Sequence, residues 1–598
     1  MKFNGKLQLH TFLRIAICLL VGICIGDATA DAVPVALWRW LFVGLLSLLV
    51  LLHVSKRLEM MQTLLIFGIV IVGGAWRITS YENSLRCAFT GEEEVYEAVV
   101  VSQPIKKRRS MKCELAVVSG RLAGHRLNAY FQNPNSLNHI VVGDGIEAQS
   151  VFSGFDDTYA QRGGFDWRRQ RMVRGIVART FVASDKWKRA EVSLEAMPRI
   201  DRLALSLQSL RYDLLSRLQG SALSEDAYAT IAAMTLGDKT GVSAELRDTY
   251  SKAGVSHVLA LSGLHLGIIY AMIALLLGRR RNTIGGLLVT LLLVWAFALM
   301  VGMSPGIVRS AAMFSVYASM TFLQRDYLTA NSLALAASVM LLASPAMLWD
   351  VGFQMSFLAV MGIVICHVLL RNNRFYVRYA HRRFVGKLAS LVCISLAAQL
   401  FVLPLVMYYF GNVPFYFLLA NIVAVPLTTF IIYAAMLLFV LSPLCQFAAW
   451  MTVVWQWLAS GVGWVAAQMN TLLKVIASLP GASADGVYIS VLQLSLMYVL
   501  IVALVGVWRY GQQMYDSMHG KFKSEDDLKK LRIKSKRVKK CNYSAPIEVS
   551  PIGMRDHLTV LQQQELHCIS NFRSSWRFLR WSVTWQNHRH RCQFGSNR

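Results

Sequence analysis

The chain has 598 residues, of which 55% are hydrophobic and 16% are charged, a balance that excludes an ordinary soluble enzyme of this size. Its formal net charge is +27, but most of the positive excess falls in short loops between apolar runs and in the C-terminal tail. This distribution is typical of membrane topology and does not by itself indicate nucleic-acid binding. The composition predicts a polytopic α-helical membrane protein.

The chain opens with apolar runs long enough to cross about 30 Å of hydrocarbon. They cover 11–26, 38–54 and 60–76 and predict three transmembrane helices within residues 1–77. The first run ends in "ATADA", which also fits a secretory signal with a cleavage site. The two runs that follow closely favour a membrane anchor instead.

Residues 94–184 differ from the apolar runs: they form short stretches in which apolar and polar residues alternate, separated by turn residues. Runs such as "EVYEAVVVS" and "VRGIVARTFVAS" predict five strands, and five strands in about 90 residues suit a small closed barrel of the OB type. We therefore predict an OB-like β domain over 78–198. Leucines at helical spacing in "IDRLALSLQSLRYDLLSRL" predict amphipathic helices over 199–250.

Two basic stretches of this domain could hold a phosphate backbone, and the second adds aromatic rings on which bases could stack. The candidate DNA-binding residues are Lys106, Lys107, Arg108 and Arg109 in "KKRR", and Phe165, Trp167, Arg168 and Arg169 in "RGGFDWRRQRMVR". Each stretch has a structural alternative. "KKRR" fits a solvated hairpin tip, and the two rings could pack under the barrel.

Most of the ten cysteines lie in apolar spans or in the tail, where pairing is not expected. Cys87 and Cys113 are the exceptions, and a disulfide between them is one of two open outcomes, because spacing alone cannot establish the required geometry.

Apolar segments return from 254 to 507, about nine of them at roughly 20 residues per span. We predict a transmembrane core over 251–508. Several of its segments place a polar group beside Gly or Pro, which predicts broken or kinked helices around a wet cavity. The candidates for lining it are Ser262, Gly263, His265, Gly267, Arg309, Gln354 and Asn421. For each polar side chain, a satisfied hydrogen bond between helices is the alternative.

Basic loops orient the chain, since cytoplasmic loops retain Lys and Arg. "SKR" at 55–57, "GRRRN" at 278–282 and the run over 371–387 are placed inside. This assignment predicts that residues 78–253 lie outside the cytoplasm and that the C-terminus is cytoplasmic.

The motifs of the core occur in a familiar order. "GVSHVLALSGLHLGII", "SPGIVRSAAMF" and "PAMLWDVGFQMSFLAVMGI" closely resemble the competence domain of the ComEC family of DNA-uptake channels. "GGFDWRRQRMVRGI" resembles the family's "PGGFDY" stretch near the end of its exported domain. The resemblance covers about residues 11–507.

The resemblance implies a channel that passes single-stranded DNA across the bacterial cytoplasmic (inner) membrane during natural transformation. The implied partners are single-stranded DNA, membrane lipid, and other competence proteins: a DNA receptor, a nuclease, and a cytoplasmic motor or single-strand-binding protein. No cofactor or metal ion is implied for the core.

Many family members end in a metallo-β-lactamase-like domain, whose metal site needs an H-x-H-x-D-H type cluster. No such cluster occurs in this sequence. We expect residues 509–598 to form a cytoplasmic, basic, poorly ordered tail.

Two other functions remain as alternatives. Broken helices around a midplane site would also fit a secondary transporter of a small anionic solute, although a large exported barrel argues against it. A membrane nuclease using His125 and His139 is disfavoured because no carboxylate cluster accompanies these histidines. No nucleophile–base pair or P-loop is visible, so no enzymatic activity is expected.

Overall fold

The computed structural model describes residues 11–54, 59–87, 89, 91–106, 110–132, 140–154, 161–162, 165–192, 199–221, 223–323, 330–370, 383–446, 449–512 and 514. The chain divides into two compact units. The first comprises 1–364 and 398–489, and the second comprises 365–397 and 490–598. Of the predicted tail at 509–598, only residues 509–512 and 514 are among the described residues.

Three apolar helices open the first unit: α1 (Thr11–Ala28), α2 (Val35–Val54) and α3 (Glu59–Leu85). Two glycines of α1 let it approach α3 closely. A Cβ at Gly22 would lie 2.1 Å from the carbonyl oxygen of Ile71, and one at Gly26 would lie 2.7 Å from the Cα of Ala75. Small residues at such contacts are how apolar helices pack when their surroundings are as apolar as they are.

A closed barrel follows, as the alternating runs predicted. Its strands are β1 (Glu93–Val100), β2 (Ile105–Lys106), β3 (Ser110–Val117), β4 (Arg126–Gln132), β5 (Gly145–Ser153) and β8 (Ile176–Val182). The five long strands pair in the order β1-β3-β4-β8-β5, and β5 pairs back with β1. Because β4 and β8 run parallel and the other long pairs are antiparallel, this is the OB-like arrangement.

Alternation along the strands decides which side chains fill the barrel. Every second residue of β3 is buried, as expected for a half-buried strand. The interior holds Tyr96, Leu115, Leu127, Phe131 and Ile146, each less than 2% exposed. The short elements β6 (Gln161–Arg162), β7 (Phe165–Asp166), α4 (Trp167–Arg174) and β9 (Trp187–Arg189) complete this region.

Helices α5 (Arg199–Gln219), α6 (Glu225–Thr235) and α7 (Ala244–Lys252) follow the barrel. The leucine spacing predicted α5, and a second helix was expected near α6. The short α7 was not predicted. Ser224 and Ser243 cap α6 and α7 by accepting backbone N–H groups through their hydroxyls, which satisfies donors that a helix start leaves open.

The remaining helices are mostly apolar. They are α8 (Ser256–Leu259), α9 (Gly263–Leu277), α10 (Ile284–Met300), α11 (Pro305–Phe322), α12 (Ala330–Ala343), α13 (Val351–Leu370), α14 (Arg383–Phe410), α15 (Phe417–Leu441), α16 (Ala449–Ala477) and α17 (Val491–Gln512). A two-stranded sheet of β10 (Asn412–Pro414) and β11 (Ser483–Asp485) joins two loops.

Within the described residues, seven helices are long and apolar enough to cross a membrane. Three are the N-terminal helices, and the other four lie between residues 263 and 512. Of the nine described helices α9–α17, four meet this standard, and α10, α12 and the apolar part of α13 (Val351–His367) are apolar but only 10–17 residues long. The chain is a polytopic helical protein with an OB-like barrel.

Candidate functional site

The predicted break in the helix before His265 is present. Helix α8 ends at Leu259 and α9 begins at Gly263, with Ser262 in an extended conformation at the cap position. The imidazole of His265 is 0% exposed. Its Nδ1 accepts the backbone N–H of Ser262 at 3.1 Å, and the Ser262 hydroxyl lies 2.8 Å from the same nitrogen.

These bonds decide the tautomer of His265. Because Nδ1 accepts an N–H, the ring proton must be on Nε2. That nitrogen is buried and makes no hydrogen bond of good geometry within the described part of the chain, although the backbone of Val258 interacts with the ring. A buried N–H without a partner is costly unless water or a ligand satisfies it. The ring therefore offers a preset donor at the break in the helix.

Arg309, also predicted, lies in the first turns of α11. Its guanidinium is 2.5 Å from Asp350 Oδ2, and the two side chains are only 9% and 7% exposed. The same carboxylate oxygen accepts the backbone N–H of Phe353 at 3.0 Å and so caps α13. Arg309 Nε is buried with no partner among the described residues.

Close backbone packing brings the starts of three helices together. A Cβ at Gly263 would lie 3.5 Å from Ser310 Oγ, and one at Gly306 would lie 3.1 Å from the carbonyl oxygen of Leu261. A Cβ at Gly352 would lie 2.6 Å from Arg309 Nη2. The first turns of α9, α11 and α13 are thus in contact. Helix starts carry partial positive charge, so their convergence favours an anion.

We call this group, formed by Ser262, Gly263, His265, Arg309 and Asp350, the helix-start cluster. Asp350 was missed in the sequence, although it stands in the quoted motif. The signal was available: an isolated Asp before an apolar helix is a typical cap, and an isolated Arg in an apolar helix needs an acid.

The other predicted core residues lie around or apart from this cluster. Gln354 donates to the carbonyl of Leu348 at 2.9 Å and accepts the Tyr409 hydroxyl at 3.2 Å, so the satisfied alternative holds for its amide. Gly267 faces the ring of Phe314: a Cβ built on Gly267 would lie 3.0 Å from the Cζ atom of that ring.

Asn421 lies on α15 beside Ala420, which packs in the same apolar cluster as Val258 and Leu259 of α8. Its side chain is 8% exposed. Its Oδ1 has no hydrogen-bond partner in the described ranges.

Of the barrel candidates, Arg169 is the one whose side chain is described. It is 2.9 Å from the carboxylate of Asp27 at the end of α1, and its guanidinium lies 4.9 Å from the centre of the Trp349 ring. Neighbouring Gln170 is 3.5 Å from Asp350 Oδ1. Arg169 is thus held by the chain itself, beside the helix-start cluster, and its contact with DNA remains a prediction.

The backbone of Lys106 pairs with Met111. The side chains of Lys106, Phe165, Trp167 and Arg168, and the whole of residues 107–109, lie outside the described residues.

Cys87 and Cys113 are both free thiols in the structure. Cys113 is buried in the barrel interior, and Cys87 packs against the same interior from the side. Burial raises the pKa of the Cys113 thiol to about 12. A disulfide between Cys87 and Cys113 is not formed here and stays a prediction.

No group of three or more metal-ligating side chains is present in the part of the chain that the structure describes. His139, one of the two histidines of the nuclease hypothesis, lies outside it.

The sequence model of the family described as Competence protein matches residues 234–510. Residues 234–510 form a competence-family domain. This competence domain contains the whole helix-start cluster and the three core motifs that suggested ComEC, whereas the "GGFDWRRQRMVRGI" stretch at 163–176 precedes it. Together with the seven apolar helices, the match identifies a multi-pass membrane protein.

The similar curated proteins are longer than the part of each that aligns with this chain. ComE operon protein 3 of Bacillus subtilis is 24% identical over 475 residues, which cover 77% of this chain and 56% of that protein. The uncharacterised protein YcaI of Escherichia coli is 24% identical over 252 residues, covering 40% and 32%. An uncharacterised Aquifex aeolicus protein is 25% identical over 194 residues, covering 32% and 43%. The chain thus spans about half the length of its relatives or less. No solved structure matches it.

Proposed function

We propose that the chain is a conduit for single-stranded DNA across the bacterial cytoplasmic membrane during competence. The observation that carries the proposal is the helix-start cluster. Inside an apolar helical domain it combines a buried ion pair, a buried donor on His265 without a partner, and three converging helix starts. Polar groups this costly in a membrane protein are typical of a substrate path.

A phosphodiester fits the chemistry of the cluster. Arg309 binds Asp350 through Nη1, and guanidinium groups bind carboxylates and phosphates through the same fork of N–H donors. A passing phosphate could take the place of Asp350 on Arg309 and accept the Nε2–H of His265. Asp350 would reclaim Arg309 afterwards, so each phosphate would be held briefly and released.

The rest of the assembly follows from the basic loops and from the family. The barrel lies outside the cytoplasm and receives the strand, and the C-terminus is cytoplasmic. The energy and the degradation of the second strand come from other competence proteins: a DNA receptor, a nuclease, and a cytoplasmic motor or single-strand-binding protein.

The proposal is tested by uptake of labelled DNA in a strain that carries only His265→Ala. Loss of the preset donor should reduce uptake, while the amount of protein in the membrane stays equal to that of the wild type. Phe415→Ala, at an exposed ring in a loop, is the matched control. Normal uptake by a stably inserted His265→Ala protein removes His265 from the path.

A second candidate is a secondary transporter of a small anion, because converging helix starts can also hold one isolated anionic group. Deleting the gene separates the two. Unchanged DNA uptake together with a lost flux of an anionic metabolite would establish the transporter and overturn the channel.

A further inference from the structure

The outer face of the barrel carries a row of side chains to which the motifs had not drawn attention. Lys112 of β3 is the cross-strand partner of Tyr130 on β4, and Tyr130 is the partner of Phe181 on β8. All three point away from the interior, because their chain neighbours Cys113, Phe131 and Val182 fill it and side chains alternate along a strand.

The two rings of this row are stacked. Their centroids are 5.1 Å apart and their planes meet at 22°. Phe181, the second-to-last residue of β8, is 64% exposed, and exposing a phenylalanine ring to water costs hydrophobic free energy. The stacked pair thus presents an open aromatic face to the surroundings.

Positive groups surround the rings. Lys112 Nζ lies 5.9 Å from the centre of the Tyr130 ring. Burial raises the pKa of the Tyr130 hydroxyl, and the fields of Arg179 and Arg171 oppose that rise, so both guanidinium groups act on the ring. Arg179 pairs across the strands with Asn128, one row away. Arg171 belongs to α4, which contacts β8.

An exposed aromatic face bordered by cations suits one class of ligand. Bases of a single strand have open π-faces that stack on aromatic rings, while the phosphates between them seek Lys and Arg. In a duplex the same faces are hidden by base stacking. A protein partner would need no cations spaced around the rings.

We propose that Lys112, Tyr130 and Phe181 form a stacking platform that binds the unpaired bases of a single-stranded nucleic acid. The inference deepens the proposed function, on which it rests for the identity of the strand as DNA. It also implies an order of events, because the duplex must already be separated when the strand reaches the barrel.

The full-length protein in lipid nanodiscs tests the platform through its affinity for fluorescein-labelled dT20. Phe181→Leu keeps an apolar side chain but removes the π-face, and it should weaken binding at least about five-fold, since stacking on one aromatic ring contributes on the order of 1–3 kcal/mol. Phe181→Trp should restore binding. Val95→Ala, at an exposed position of β1, is the control for the barrel surface.

Two further probes separate stacking from charge. A 20-residue abasic strand has the same phosphates but no bases, so its affinity should be lower and insensitive to Phe181→Leu. Lys112→Gln should weaken binding of both strands and lower the salt dependence by about one phosphate contact. The affinity for a blunt-ended duplex hairpin should not change with Phe181→Leu.

Equal dT20 affinity in wild type and Phe181→Leu overturns the platform, as does the absence of dT20 binding by the wild type. DNA uptake in cells is measured in parallel. If DNA uptake requires the gene but dT20 affinity does not change with Phe181→Leu, the platform is overturned and the channel is not. Binding that depends on Phe181, in a strain whose uptake survives gene deletion, confirms the platform and overturns the channel.

Discussion

The barrel and the competence domain differ in the main polar group that each one buries. In the barrel interior Tyr96, Ser150 and Thr180 form a chain of hydroxyls, with oxygen distances of 3.1 and 2.6 Å, which ends on the carbonyl of Val151. In the competence domain Arg309 forms a buried ion pair, and His265 Nε2 and Arg309 Nε have no partners among the described residues. Asn128 Oδ1 and Trp187 Nε1 of the barrel region also lack partners there.

A chain of hydroxyls and a buried ion pair differ in what they can offer to a ligand. A closed chain of hydroxyls stabilises a fold and leaves no donor for a ligand, because each of its protons already has an acceptor. An open donor beside a buried ion pair costs free energy and is explained by what it binds.

The largest expected effect comes from breaking the buried ion pair. Arg309→Ala or Asp350→Asn leaves one buried charge uncompensated and should destabilise the protein by about 3–5 kcal/mol. The loss is measured as a fall in the melting temperature of the detergent-solubilised protein. Lys474→Ala, at an exposed pair with Glu245, should change nothing measurable.

The double variant Arg309→Gln/Asp350→Asn sharpens this prediction. A neutral pair should recover most of the stability but not the DNA uptake, because an amide does not attract phosphate. Restored uptake would show that the pair is structural, like the hydroxyl chain of the barrel.

A substitution that fills the space beside Arg309 tests the same ion pair without removing either charge. Gly352→Ala places a Cβ 2.6 Å from Arg309 Nη2, which should displace the guanidinium and cost about 1–3 kcal/mol. Gly461→Ala on α16 is the matched control, since a Cβ there meets nothing within 4 Å. Equal melting temperatures for both variants would contradict the tight packing of Arg309.

The barrel should respond to polar deletions in stability alone. Tyr96→Phe removes one end of the hydroxyl chain and should cost about 1 kcal/mol, without altering dT20 affinity. Denaturant unfolding followed by tryptophan fluorescence measures the loss. A change in dT20 affinity would mean that the hydroxyl chain of the interior affects binding at the stacking platform.

The smallest effect concerns the two thiols near the barrel. Alkylation requires the thiolate, and the pKa of Cys113, raised to about 12 by burial, leaves almost none at pH 8. Maleimide should therefore label Cys87 and spare Cys113 in a variant whose other cysteines are serine. Two unreactive thiols that become reactive after reduction would establish the disulfide instead.

The sequence by itself determined the elements whose signals are local. Apolar runs predicted the N-terminal helices, period-two alternation predicted the strands, and Gly263 beside Ser262 predicted the break before His265, because each depends on neighbours along the chain. The ends of α10 and α12 were not predicted, since an apolar run does not reveal where a helix stops.

Only the tertiary structure decided which polar residues act together. Arg309 and Asp350 are 41 positions apart, and Lys112 and Phe181 meet on one face because β4 lies between their strands. Such contacts arise from helix packing and strand register, which bring together residues that no local pattern connects. The sequence determined which groups are costly to bury, and the fold determined which of them have partners.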